Sequence, residues 1–145
     1  MADLTPKMTA DELMEFMKQE FPQSEKHTRA ISIERIEPGE IMIRFKADDS
    51  HLRPGGTVSG PTLFWLSDLG GYICVLSHIG PEALAVTTNM NINFMRKAGP
   101  GIITARAKIL KLGKRLMVFD ISMAQEGSDD LIAHATGTYA IPPSA

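Results

Sequence analysis

The sequence predicts an α+β fold in which a strongly curved antiparallel sheet wraps one long buried helix. Three observations predict it. Residues 55–79, GGTVSGPTLFWLSDLGGYICVLSHI, pass from a Gly-rich turn into about twenty residues that are apolar nearly all round. Six other segments alternate apolar and polar residues as half-buried strands do. Short turns join most of them, giving the order helix, two strands, long helix, four strands.

The central helix comes first in the argument. Leu63, Phe64, Trp65, Leu66, Leu69, Tyr72, Ile73, Val75, Leu76 and Ile79 cover every direction of a helical wheel, so the helix belongs inside the protein. At ~1.5 Å per residue it is roughly 27 Å long, close to a bilayer's hydrocarbon thickness. Asp68, the Gly70-Gly71 pair and the strand-like remainder of the chain argue against a membrane span. Each helix-interior glycine costs ~1 kcal/mol relative to alanine. The pair therefore implies a very close neighbour, either the sheet or a second copy of the helix.

The other elements follow in order. Thr9-Ala10-Asp11-Glu12 reads as a capping box, and Leu13, Met14, Phe16, Met17 and Phe21 give an amphipathic helix that stops before Pro22. Residues 29–36 and 41–46 form a hairpin around Pro38-Gly39. A polar, Gly/Pro-rich stretch, 47–58, delivers the chain to the central helix. After Gly80-Pro81, segments 84–95, 102–111, 115–124 and 131–141 read as an antiparallel meander. Pro142-Pro143-Ser144-Ala145 reads as a frayed end. No repeat or linker divides the chain, so 1–145 is one domain.

Composition narrows the function. Of 145 residues, 43% are hydrophobic and 22% charged, with a net charge of −2. That balance argues against a nucleic-acid partner. The lone cysteine, Cys74, lies in the buried helix, which excludes a disulfide framework or a cysteine metal site. The start, MADLTPKMTADEL, lacks the basic and apolar regions of a signal peptide, and a reducing cytoplasmic setting fits. His27, His51, His78 and His134 are scattered, with no catalytic or metal-ligand spacing. The one carboxylate in the apolar helix, Asp68, needs partners, water or a chemical role.

At these residues the chain resembles the hotdog-fold acyl-CoA thioesterases, in the branch typified by the phenylacetate-pathway enzyme. The resemblance covers essentially the whole chain. The family pattern is a Gly-turn, then His-Gly-Gly, then a helix with an acidic residue nine positions after the His. Here that frame is Ser59-Gly60-Pro61 with Asp68. Asn89-Met90-Asn91-Ile92-Asn93-Phe94-Met95 and Leu112-Gly113-Lys114 also resemble family segments. Ser59 stands at the family's His, and Arg53 at its usual Asn or Gln six places earlier. The resemblance implies a thioesterase acting on acyl-CoA, with coenzyme A entering only as part of the substrate and no cofactor or metal. It also implies active sites shared between subunits of a dimer, extendable to a dimer of dimers. A non-catalytic acyl or acyl-CoA binding module is the alternative, favoured by the absent His.

Physical chemistry gives the same site. Thioester hydrolysis needs an oxyanion stabiliser and a base or nucleophile at one carbonyl. A helix start offers unpaired N–H groups, and with Pro61 lacking one, Gly60 is the natural donor. Asp68 is the candidate base or nucleophile; otherwise it caps or salt-bridges within a dimer contact. The two lie eight residues apart, ~12 Å along a helix, too far to touch one carbonyl. An antiparallel partner helix would bring its Asp68 near this Gly60, an arrangement that the geometry permits and the resemblance implies. Tyr72, one turn beyond Asp68, either orients substrate or water or is an aromatic at the dimer seam. Thr87 stands where the family often has a hydroxyl that helps hold the attacking water; otherwise it is a β-branched strand residue. Ser59 caps the helix. Arg53 either holds Asp68 ionised, binds a polar acyl end or is a solvated loop cation. Arg96, Lys114 and Arg115 are candidate phosphate contacts, or charged hairpin edges.

Overall fold

In the computed structural model, residues 3–24 and 28–143 are described. The capping box is present. Glu12 N–H donates to Thr9 Oγ1 at 3.2 Å and Thr9 N–H donates to Glu12 Oε1 at 3.0 Å, opening α1 (Ala10–Glu20). Leu13 and Met17 bury its inner face. Next come β1 (Ile31–Glu37) and β2 (Glu40–Ala47), an antiparallel hairpin. Its turn carries Gly39 at φ +75°, a conformation that costs any residue with a Cβ.

The stretch expected to be loop holds small elements of its own. A 3₁₀ turn (Asp49–His51) leads into a two-stranded ladder, β3 (Leu52–Arg53) with β4 (Thr57–Val58). The central helix, α2 (Gly60–Ile79), follows. Then come β5 (Val86–Phe94), β6 (Gly101–Leu112), β7 (Leu116–Gln125) and β8 (Leu131–Ala140). The main sheet has six antiparallel strands in the order β1-β2-β6-β7-β8-β5.

That order corrects the four-strand meander. Only β6, β7 and β8 run as one. β5 and β6 are not neighbours, because the segment between them crosses the start of α2, where Val58 N–H donates to the Ala98 carbonyl at 2.8 Å. β5 therefore becomes an edge strand, paired to β8 on one side alone. Its open side carries no protein partner among the described residues.

The residues that the sheet buries against α2 differ in size from strand to strand. β6 and β8 present small ones, Ala105, Ala107, Ala133, Ala135 and Gly137. β2 and β7 present large ones, Ile41, Ile43, Phe45, Phe119, Ile121 and Met123, all at most 1% exposed. The two helix glycines fit against β7. A Cβ on Gly70 would lie 2.4 Å from Ile121 Cδ1, and one on Gly71 2.3 Å from Phe119 Cζ. The close neighbour inferred from these glycines is thus the chain's own sheet.

Most of α2 is buried. By length and composition it could cross a membrane, but the sheet occupies the surroundings that lipid would need. The helix is not enclosed all round, however. Its first half leaves Pro61 and Phe64 exposed and Trp65, Asp68 and Leu69 half-buried. Its last turn is fixed by His78, 1% exposed, whose Nε2 accepts from Gly39 N–H at 2.8 Å. That bond ties the β1–β2 turn to the end of α2. His27, Ser144 and Ala145 lie outside the described residues.

Candidate active site

Ser59 takes the N-cap position of α2, with φ −72° and ψ 151°. Its Oγ accepts from Thr62 N–H at 3.2 Å and shares a hydrogen bond with the Thr62 hydroxyl at 2.7 Å. The side chain is thereby used as a cap. Gly60 is the first helical residue. Among the described residues its N–H has no acceptor, as expected for a helix start. The ring of Phe94 lies over it, since a Cβ at Gly60 would be 3.4 Å from Phe94 Cζ.

Positions 60, 64 and 68 recur every four residues and so share one face of α2. With Trp65, Ile92 and Phe94 they line an open groove of about 640 Å³ between the helix and β5. Gly60 sits at one end of that groove and Asp68 at the other.

The Asp68 end is built by strands far away in sequence. Thr87 Oγ1 donates to Asp68 Oδ1 at 2.5 Å. Tyr139 Oη lies 2.8 Å from the same oxygen and 2.8 Å from the Asp68 main-chain carbonyl. Thr87 and Tyr139 are cross-strand partners on β5 and β8, so the edge of the sheet delivers both hydroxyls together. Among the described residues Oδ2 has no partner. Burial, then the Asp68 charge, pushes the Tyr139 phenol far above its usual range, so it acts as a donor.

Behind Asp68 lies a second cavity, about 310 Å³, lined by Met17 and Phe21 with Trp65, Leu69, Tyr72 and Val86. Tyr72 is 7% exposed, and its hydroxyl donates to the Ala83 carbonyl at 3.3 Å. Its ring meets Phe21 edge-on at 5.6 Å. Burial pushes its phenol up to about 12, with Glu20 and Glu82 adding to the shift. Tyr72 is thus a wall of this cavity with its own hydroxyl engaged.

The cations divide. Arg53, Arg96 and Lys97 line a third cavity, about 390 Å³, together with Gly60 and Phe94. Arg53 is therefore placed at the Gly60 end, away from the Asp68 contacts. Lys114 and Arg115 lie at the β6–β7 turn and line none of these cavities. That turn is at the Val86 end of β5, whereas Arg96 follows its Phe94 end. Among the described residues no group of three His, Cys, Asp or Glu side chains is placed to hold a metal.

Sequence reasoning missed Tyr139 and the role of α1. One signal for Tyr139 was present. The inward positions of β8 run Ala133, Ala135, Gly137, Tyr139, so a single phenol follows three residues of minimal size. A buried tyrosine hydroxyl needs a partner, and Asp68 was the unpaired group in the core.

Comparison with known proteins gives concordant matches. The thioesterase superfamily model matches residues 55–132. A crystal structure from Silicibacter sp. TM1040, of a protein described as a thioesterase by inference, is 43% identical and superposes with a TM-score of 0.86, covering 97% of this chain and 96% of that one. A mutant structure of the phenylacetic acid degradation protein PaaI from Thermus thermophilus is 26% identical at a TM-score of 0.71, covering 83% and 99%. The 1,4-dihydroxy-2-naphthoyl-CoA hydrolase of Listeria monocytogenes is 23% identical over 114 residues, 79% of this chain and 92% of that protein.

Proposed function

The chain belongs to the thioesterase superfamily, with the hotdog fold of its phenylacetate branch, and from that premise we propose that it hydrolyses acyl-CoA thioesters at a site shared by two subunits. The observation that carries the reading is the Asp68 carboxylate. One oxygen is held by Thr87 and Tyr139, and the other has no partner among the described residues and lies beside an apolar groove.

As a base, Asp68 takes a proton from water as its oxygen attacks the thioester carbon. The C–S bond then breaks and the proton passes to the departing sulfur. As a nucleophile, Oδ2 attacks the carbon itself and expels the thiolate, and water opens the resulting anhydride. In both routes negative charge develops on the carbonyl oxygen, and the unpaired Gly60 N–H is the donor suited to it.

Asp68 and Gly60 of one chain are ~12 Å apart along the helix, so each site takes Gly60 from the partner. The open edge of β5 supports this arrangement. It is flanked by exposed Phe64, Val86, Phe94 and Met95, between 41% and 55% accessible. Two-fold pairing of β5 with its copy covers that apolar strip. It also turns the Gly60 end of one chain toward the Asp68 end of the other.

The substrate's two ends then have separate places. The acyl group enters the cavity of Met17, Phe21 and Tyr72, which is apolar away from Asp68, Thr87 and Tyr139. The phosphate-bearing end of coenzyme A lies towards Arg53, Arg96 and Lys97. Lys114 and Arg115, at the opposite end of β5, approach the partner's Arg96 end in such a dimer and extend the basic surface. Acyl-CoA as substrate and the buried lone Cys74 fit the cytoplasmic setting expected from the sequence.

A thiol-release assay over aliphatic and aromatic acyl-CoAs tests the reading. Turnover by the wild type, with kcat reduced roughly 100-fold or more in Asp68→Asn and substrate affinity kept, is the expected result. Asp68→Asn turning over at the wild-type rate would overturn the assignment. Binding of every acyl-CoA with no thiol release would favour the acyl-CoA binding module, the reading that the hydroxyl of Ser59 at the family's His position supports.

A further inference from the structure

We infer that Tyr139 is the positioning residue that selects which oxygen of Asp68 reacts, an inference that rests on Asp68 being the base or nucleophile. A phenol carries one proton, and the Tyr139 hydroxyl directs it at two acceptors of the same residue, Asp68 Oδ1 and the Asp68 main-chain carbonyl, each at 2.8 Å. The hydroxyl therefore bridges the carboxylate to its own backbone and fixes the side-chain rotation. Thr87 adds a second donor to the same Oδ1. With Oδ1 occupied from two directions, Oδ2 is the oxygen that faces substrate or water.

The ring is as well fixed as the hydroxyl. Tyr139 is 3% exposed and packs against Tyr72 and Phe119, with ring centroids 6.0 Å and 6.1 Å away. Glycine and alanine before it on the inner face of β8 leave it as the side chain of that row that reaches the Asp68 carboxylate. Thr87 alone would leave the carboxylate free to rotate about one hydrogen bond. Two donors on different strands do not.

Tyr139→Phe tests this while keeping the ring contacts. Steady-state thiol release is expected to show kcat reduced roughly 10- to 100-fold, the effect of one hydrogen bond to a charged group. KM, and the Kd of a non-hydrolysable thioether analogue of the best acyl-CoA, are expected to stay within about twofold. In an Asp68→Asn background the same change is expected to have no further effect on kcat, because the oxygen it positions is gone. A wild-type kcat in Tyr139→Phe would overturn the inference. So would a fall in analogue affinity as large as the fall in kcat, which would mark a merely structural contact, or full additivity with Asp68→Asn. If Asp68→Asn itself remains active, the failure lies with the Asp68 assignment, and the two failures are thereby told apart.

Discussion

Replacing Gly71 by alanine tests how the sheet and the helix fix one another. In a helix interior the change alone favours folding by ~1 kcal/mol. The structure opposes it. The new methyl would sit 2.3 Å from Phe119 Cζ and within 2.8 Å of both Cε atoms, where ordinary contact begins at 3.4 Å. The ring must therefore withdraw by about 1 Å, and it has little room. Phe119 is fully buried, and the same end of the ring also lies on Gly137, whose own added Cβ would meet it at 2.7 Å. Overpacking of this kind costs about 1–3 kcal/mol and more when rigid groups are confined. For a ring this confined the upper part of that range applies, about 2–3 kcal/mol. Less the ~1 kcal/mol helix gain, it leaves a net loss of about 1–2 kcal/mol, or roughly 3–8 °C in Tm for a domain of this size. Gly70→Ala is the control. Its methyl meets the Cδ1 tip of Ile121, which can rotate away, so that variant is expected within about 1 kcal/mol of wild type. Thermal unfolding by circular dichroism measures both. Because Phe119 packs on Tyr139, Gly71→Ala is also expected to lower kcat. A Gly71→Ala protein as stable as wild type, or a Gly70→Ala protein that is the worse of the two, would refute the packing argument.

Ser59→Ala is expected to cost ~1 kcal/mol by loss of the cap with only a modest change in rate. Activity lost to the extent seen in Asp68→Asn, at normal stability, would mean that Ser59 takes part in the chemistry. Burial pushes the Cys74 thiol up to about 12, and Glu40 adds slightly to the shift. Native protein at pH 8 is therefore expected to leave a thiol reagent unconsumed, while denatured protein takes up one equivalent. Rapid labelling of the native protein would contradict the enclosure of the second half of α2.

What could be read from the sequence was what local chemistry dictates. The capping box of Thr9 and Glu12, the apolar helix and the alternation of the strands each depend on residues a few positions apart, and all three are in the structure. The place of β5 was not legible in the same way. Its alternation identifies a strand, but pairing with β8 rather than β6 depends on where residues 95–100 cross the start of α2. Asp68 stood out because a carboxylate in an apolar helix is costly. Its partners did not, since Tyr139 lies 71 residues away in sequence and Thr87 has the composition of any strand residue. Arg53 and Arg96 had no sequence link to each other, yet they border one cavity beside Gly60. The cavity behind Asp68 owes Met17 and Phe21 to α1, whose amphipathic pattern says that it packs but not onto what.

The central claim is that each site takes Gly60 from one subunit and Asp68 from the other, and mixing two inactive variants tests it most directly. Asp68→Asn removes the carboxylate. Gly60→Pro removes the donor N–H at a position that tolerates proline, the first residue of a helix. Ser59 is already extended at ψ 151°, as a residue before proline prefers, and an added Cβ would meet Phe94 at 3.4 Å, an ordinary contact. A heterodimer formed by mixing and refolding carries both defects in one site and neither in the other. The shared site predicts that thiol release returns to about half of wild type per heterodimer, with exchange followed by native mass spectrometry. Confirmed heterodimers that stay inactive would contradict it and leave Asp68 to work with donors of its own chain.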